Sequence, residues 1–144
     1  VCSSDLDLAT PGRHEAGKLK VFYGAVWSVA LAPDGLTFAT SGSDGKITIW
    51  EYSTRRLLKT LTGHTNEVFS VAYSPDSRRL ASGGKDNLVK IWDLERGEAL
   101  LSLNGHTAEV RAVAFSPDGR TVASGSWDGT VKLWRTKDWS AQKR

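Results

Sequence analysis

This sequence lacks several features that mark other classes of protein. Its one cysteine, Cys2, has no partner for a disulfide within the chain, as is usual in a reducing compartment. No apolar run approaches the roughly 18 residues that a membrane-spanning helix requires. Residues 1–16 also contain no apolar stretch of the kind found in a signal peptide. We therefore expect a cytoplasmic protein with no membrane partner.

Clustered positive charge and metal-binding spacings are also missing. The 19 Lys and Arg residues exceed the 16 Asp and Glu residues by only 3 and are scattered, so no basic stripe could follow a phosphate backbone. The histidines, His14, His64 and His106, stand far apart, and no CxxC or HxxxH spacing occurs. The glycine-rich residues 41–45 lack the Lys-Ser/Thr of a phosphate-binding loop. These absences predict no nucleic-acid partner, no metal and no cofactor.

The sequence does contain one segment that is written three times. Trp50, Trp92 and Trp134 are 42 residues apart, and Asp44, Asp86 and Asp128 keep the same period. A fixed period of this length is typical of a repeat architecture. Within each copy, short segments rich in Val, Ile, Thr and aromatic residues are interrupted by Gly or Pro, which favours strands over helices.

Each repeat predicts a meander of short strands. The predicted strands span residues 26–31, 37–40, 46–51 and 57–62 in the first repeat, 68–73, 79–82, 88–93 and 98–103 in the second, and 110–115, 121–124 and 130–134 in the third. Residues 18–22 alternate and are a candidate for one further short strand. Val89 and Ile91 point to one face of a strand and Trp92 to the other, so each sheet needs a neighbour on both sides. The sequence therefore predicts an all-β protein built from β-propeller blades.

These repeats resemble the WD40-repeat family. Gly63-His64 and Gly105-His106 match the GH dipeptide of the family, and Trp92-Asp93 matches its WD dipeptide. Trp50-Glu51 and Trp134-Arg135 are variants of the same dipeptide. The resemblance implies about three four-stranded antiparallel WD40 blades, in an open arc or as part of a larger ring.

The resemblance also divides the chain. WD40 repeats occupy residues 18–135, with blade 1 at about 22–62, blade 2 at about 63–104 and blade 3 at about 105–135. Residues 1–17 are interpreted as a non-native scar, linker or disordered tail, because the first six read like a translated sequencing adapter, and residues 136–144 as a C-terminal tail. Propellers close with about four to eight blades. We therefore expect a fragment of a larger propeller; closure by copies of the chain and capping by a partner are the alternatives.

Within each blade the resemblance implies a structural hydrogen-bond network. It links a tryptophan, a serine or threonine, the GH histidine and the aspartate of a turn. The implied members are Trp92, Ser82, His64 and Asp86 in blade 2, Trp134, Ser124, His106 and Asp128 in blade 3, and Trp50, Thr40 and Asp44 in blade 1. Blade 1 has Val21-Phe22 in place of Gly-His, so we expect it to be the least well specified blade.

Serine, histidine and aspartate also form the catalytic triad of many hydrolases. A triad occurs once per active site, on a strained turn beside an oxyanion hole. Here the same set recurs in each complete repeat and includes a tryptophan, so a structural role is favoured. We expect that the protein is not an enzyme.

The family's top face, which often contacts partners, is formed by positions that the repeats do not share. The corresponding residues are Trp27, Ser43, Glu67, Phe69, Lys85, Glu109, Arg111 and Trp127. Aromatic and arginine side chains at an exposed rim are typical of binding hot spots. For Trp27 and Phe69, packing against a neighbouring blade is an equally good interpretation.

The resemblance therefore implies a non-catalytic scaffold that binds a protein or peptide through the top face, with self-association through exposed blade faces as a further expectation. The alternative is a regulatory or sensor WD40 module of a larger multidomain enzyme. Repeats of the Ser-Pro-Asp-Gly-Arg type, as in residues 116–120, are common in bacterial proteins of that sort.

Overall fold

The structure is a computed structural model that describes residues 17–21 and 24–135. This part of the chain contains eleven β-strands and no helix, so the all-β prediction is confirmed. Blade 1 consists of β1 (Val26–Leu31), β2 (Thr37–Gly42), β3 (Ile47–Glu51) and β4 (Leu57–Leu61). Blade 2 consists of β5 (Val68–Tyr73), β6 (Arg79–Gly84), β7 (Val89–Asp93) and β8 (Glu98–Leu103). Blade 3 consists of β9 (Val110–Phe115), β10 (Thr121–Ser126) and β11 (Val131–Arg135).

Each blade is an antiparallel meander in which consecutive strands pair. The second strands run two residues further than predicted, because the final glycine or serine residues still pair with the first strand, as Gly84 does with Val68. Across residues 17–21 and 24–135, no helix is long and apolar enough to cross a membrane.

The candidate strand at residues 18–22 is wrong for the part that the structure describes. Residues 17–21 have no strand structure and pair with none of the eleven strands. Alternation alone does not make a strand, because the backbone groups also need a partner ladder. The structure does not describe residues 1–16, which include His14, nor Phe22, nor residues 136–144. The predictions made for these residues stay predictions.

Apolar contacts between neighbouring blades form the core. The larger cluster joins blades 1 and 2 and includes Ile47, Ile49, Val68 and Leu80. The second cluster joins blades 2 and 3. Every residue of β7 is buried, and its Trp92 belongs to the first cluster while Val89 and Ile91 belong to the second. Blade 2 therefore packs on both faces, as its sequence pattern predicts.

A β-bulge occurs at the same position of the first strand in every blade. Gly84 is opposite Val68 and Gly83 is opposite Ser70, so Phe69 is the extra residue of β5. By the same register shift, Trp27 is the extra residue of β1 and Arg111 that of β9. A bulge kinks its strand and re-aims the extra side chain. In blades 2 and 3 the valines on either side of the bulge, three positions apart as in Val68 and Val71, consequently both face the preceding blade.

The outer faces of blades 1 and 3 are apolar and exposed. Val29 and Leu31 of β1 are 63% and 65% exposed, and Val131 and Leu133 of β11 are 72% and 69% exposed. The equivalent residues of blade 2 are all buried. Because apolar faces of this size are unfavourable in water, we expect them to associate.

We predict that the chain self-associates through these faces. Light scattering is expected to show a mass that rises with protein concentration, and Leu133→Lys is expected to lower that mass because a lysine opposes apolar contact. Leu36→Lys is the control, since Leu36 is also exposed but lies in the β1–β2 turn. A constant monomer mass for the unmodified chain at every concentration would contradict the prediction.

Candidate functional site

Four side chains of blade 2 form a continuous chain of hydrogen bonds. The indole N–H of Trp92 donates to Ser82 Oγ at 2.8 Å, and Ser82 Oγ lies 2.7 Å from His64 Nε2. His64 Nδ1 lies 2.8 Å from Asp86 Oδ2. An ionised carboxylate only accepts, so in a neutral imidazole the Nδ1 hydrogen goes to Asp86, and Nε2 then accepts the hydroxyl hydrogen of Ser82. The order of donors thus assigns one tautomer to a neutral His64.

Blade 3 repeats this chain. Trp134 donates to Ser124 Oγ at 2.8 Å, Ser124 Oγ is 2.7 Å from His106 Nε2, and His106 Nδ1 is 2.8 Å from Asp128 Oδ2. The two blades therefore have the same network at nearly the same distances. In each blade, the network joins a histidine that precedes the first strand to a serine on the second strand and a tryptophan on the third strand.

Blade 1 has only part of the network. Trp50 donates to Thr40 Oγ1 at 3.0 Å, and this bond is buried. Asp44 is exposed and accepts the Lys46 backbone N–H at 3.1 Å. No hydrogen bond joins Asp44 to Thr40 or Trp50 within the described residues. The structure therefore brings together the implied members in blades 2 and 3 but not in blade 1.

The network holds its aspartates in the ionised form. Burial opposes ionisation of Asp86, but the hydrogen bond and electrostatic attraction of the His64 ring, together with hydrogen bonds from the backbone N–H groups of Leu88 and Thr65, outweigh it and keep the Asp86 pKa below its usual range. For Asp128, the hydrogen bond from the Thr130 hydroxyl is the largest cause of a pKa far below the usual value. Burial raises this pKa, and the hydrogen bond from His106 lowers it further.

A second group of residues forms a continuous row across all three blades. Trp27 and Phe69 meet edge to face with ring centroids 5.8 Å apart. The Arg111 guanidinium carbon lies 3.9 Å from the centroid of the Phe69 ring and 4.7 Å from that of Trp127. We call these four residues, Trp27, Phe69, Arg111 and Trp127, the aromatic–arginine row. Trp27 is 47% and Trp127 66% exposed, so the row is open to solvent.

Glu67 and Lys85 support one end of the row. The Trp27 indole N–H donates to Glu67 Oε1 at 3.0 Å, and Lys85 Nζ lies 3.4 Å from Glu67 Oε2. Ser43 of blade 1 and Glu109 of blade 3 occupy positions equivalent to those of Lys85 and Glu67 in blade 2. Ser43 accepts the Ala25 backbone N–H on its hydroxyl, and the Glu109 carbonyl accepts the Trp127 N–H at 3.0 Å.

The structure thus joins six of the eight predicted top-face residues by side-chain contacts. The two interpretations of Trp27 and Phe69 do not exclude each other, because these rings pack across blades while Trp27 stays half exposed. Sequence reasoning missed the bulges that place Trp27, Phe69 and Arg111 at equivalent positions. The signal for them is present as valines three residues apart, such as Val68 and Val71, where an unbroken strand would place its inward residues two apart.

We predict that the histidine network stabilises blade 2. His64→Ala and Asp86→Ala are each expected to lower the free energy of unfolding by about 3 kcal/mol, because each leaves buried polar partners unpaired. Asp44→Ala in blade 1 is the matched control and is expected to cost less than about 1 kcal/mol, since it loses one exposed bond. Equal losses for Asp86→Ala and Asp44→Ala in urea unfolding would disprove the assignment.

We also predict that the network makes stability depend on acid. An aspartate with a lowered folded-state pKa stabilises the fold above its unfolded pKa of about 4, and this contribution is lost as the pH falls through the folded pKa. The unmodified chain is therefore expected to lose stability steadily below about pH 4. Asp86→Asn is expected to lose less over the same range, measured by urea unfolding at each pH. Parallel curves for the two proteins would rule out a contribution from Asp86.

Comparisons with known proteins agree with the blades. A family model described as the first β-propeller of IFT122 matches residues 25–144. A solved structure titled "Structure of U3-55K" is similar with a TM-score of 0.80 and 26% sequence identity. The similarity covers 83% of this chain but only 38% of that one, so the chain spans well under half the length of its structural relative. The chain belongs to the family of the first β-propeller of IFT122, and its sheets are blades of a WD40-type β-propeller.

Proposed function

We propose that the chain acts as a non-catalytic scaffold that binds a protein or peptide partner along the aromatic–arginine row. The observation that carries the proposal is the continuity of this row over three blades, with Trp27 and Trp127 open to solvent. Tryptophan and arginine are the residues most enriched among binding hot spots.

The backbone of the row favours binding as well. Trp27, Phe69 and Arg111 each lie on a first strand that is paired within its own blade. Neighbouring first strands are also joined directly, since the Val113 N–H donates to Ser70 Oγ at 3.1 Å. A surface that is ordered before binding loses less conformational entropy when a partner docks.

The serine, histidine and aspartate set supports a structural role over a hydrolytic one. Ser82 and Ser124 are fully buried, and their hydroxyls are occupied by tryptophan and histidine. A nucleophilic serine needs an exposed hydroxyl and a neighbouring oxyanion hole. Neither serine could reach a substrate in this arrangement.

Selection of a displayed random-peptide library on the immobilised chain tests the proposal. Peptides enriched on the unmodified chain are expected to bind Trp127→Ala at least about tenfold more weakly, because hot-spot tryptophans contribute this much or more. Leu36→Ala is the matched control, since Leu36 has the same 66% exposure as Trp127 but lies in the β1–β2 turn.

Two results would overturn the proposal. One is that no peptide is enriched whose binding depends on Trp127. The other is that Leu36→Ala weakens binding as much as Trp127→Ala does. Thermal unfolding of each variant identifies any loss of binding that comes from a loss of fold.

A further inference from the structure

We infer that the aromatic–arginine row recognises an acidic peptide segment, and that Arg111 binds a side-chain carboxylate of that segment. The inference rests on the proposed function and adds the chemistry of the partner. It starts from Arg111, the one cationic member of the row.

Arg111 is positioned by aromatic rings rather than by an acid. Its guanidinium carbon lies 3.9 Å from the centroid of the Phe69 ring and 4.7 Å from that of Trp127. Contacts with two rings restrict the plane of the group, and such contacts leave its N–H edge available. Within residues 17–21 and 24–135, no hydrogen bond or ion pair reaches this guanidinium. Arg111 therefore presents up to five donors in a fixed fork without an acceptor.

Glu67 and Glu109, the two acidic residues among the predicted top-face positions, form no ion pair with Arg111 in the described part of the chain and so do not neutralise it. Glu67 is already engaged by the Trp27 indole and by Lys85, whose side chain is 44% exposed. Glu109 stands two residues before Arg111, yet it forms no ion pair with the guanidinium in the described part of the chain. The hydrogen-bond donors of the Arg111 guanidinium are therefore available to a binding partner.

The charge around the fork favours a carboxylate over a phosphate. One guanidinium matches one carboxylate in a bidentate pair. Phosphorylated motifs are usually bound by clusters of arginines. Glu67 and Glu109 also oppose a dianionic group more strongly than a single negative charge.

The tryptophan beside Arg111 specifies a second property of the partner. Trp127 is 66% exposed and contacts the guanidinium through its ring, so its remaining surface adjoins the site of the carboxylate. An apolar side chain next to the acid would cover this surface and remove it from water. The expected motif is an acidic residue followed or preceded by a large apolar one.

Binding of blocked synthetic peptides to the full chain tests the inference. The probe alternates glutamate and leucine, the neutral reference alternates glutamine and leucine, and a third peptide alternates phosphoserine and leucine. Affinity is measured by tryptophan fluorescence, and the Arg111 Nε–H resonance is followed by NMR. The glutamate peptide is expected to bind at least about tenfold more tightly than the glutamine peptide and to shift that resonance.

Variants separate the guanidinium fork from its charge. Arg111→Lys keeps the charge but loses the planar fork, so it is expected to weaken the glutamate peptide by about tenfold. Glu109→Gln removes a repelling charge and is expected to tighten it by about twofold. Arg120→Lys is the control, because Arg120 is also exposed but lies in the β9–β10 turn at the opposite end of the blade.

The outcomes distinguish the two proposals. Equal affinity for the glutamate and glutamine peptides, tighter binding of the phosphoserine peptide, or an unchanged Arg111→Lys variant would overturn the carboxylate assignment. If library peptides that depend on Trp127 show no excess of acidic residues, that assignment fails while the scaffold function stands. If no library peptide depends on Trp127, the scaffold function itself fails.

Discussion

Packing of one blade's face against the first strand of the next is the contact on which this structure depends. Each sheet is thin, and its apolar side chains leave water only when a second sheet covers them. Val68 and Leu80 of blade 2 meet Ile47 and Ile49 of blade 1 in this way. Full burial of such a side chain contributes about 1.5–3 kcal/mol, so a handful of them is comparable with the net stability of a domain. Stability is consequently a property of neighbouring blades and not of a single blade.

Burying polar side chains inside such sheets is costly unless their donors find acceptors. The network in blades 2 and 3 meets this requirement by running from an indole N–H, through a hydroxyl and an imidazole, to a carboxylate that also accepts backbone N–H groups. The network ends on a carboxylate because a carboxylate can accept several hydrogen bonds at once. Blade 1 shows the alternative: without a histidine, the tryptophan–threonine pair is satisfied alone and Asp44 turns to solvent.

Much of the fold could be predicted from the sequence, because a repeat places each residue type by comparison with its equivalents. Strand order and the two-faced burial around Trp92 follow from aligned copies, whereas the members of the network follow from the resemblance to the WD40 family. The aromatic–arginine row could not be predicted as a row, since its contacts depend on how far one blade is rotated against the next, which no single repeat encodes. The strand predicted from residue 18 is absent over residues 18–21 for a related reason: pairing depends on two segments, whereas alternation describes only one.

The β-bulge has a further consequence for how this surface can change. In a regular strand, each residue is committed to one face, so a substitution on the surface is limited by the fit of its neighbours in the core. The extra residue of a bulge has no partner on the second strand and does not follow that alternation, whereas the valines on either side of it do not move to another face. One position therefore holds Trp27, Phe69 and Arg111 in successive blades, each between two valines. The chemistry of this surface can therefore differ from blade to blade while the valines on either side of the bulge stay the same.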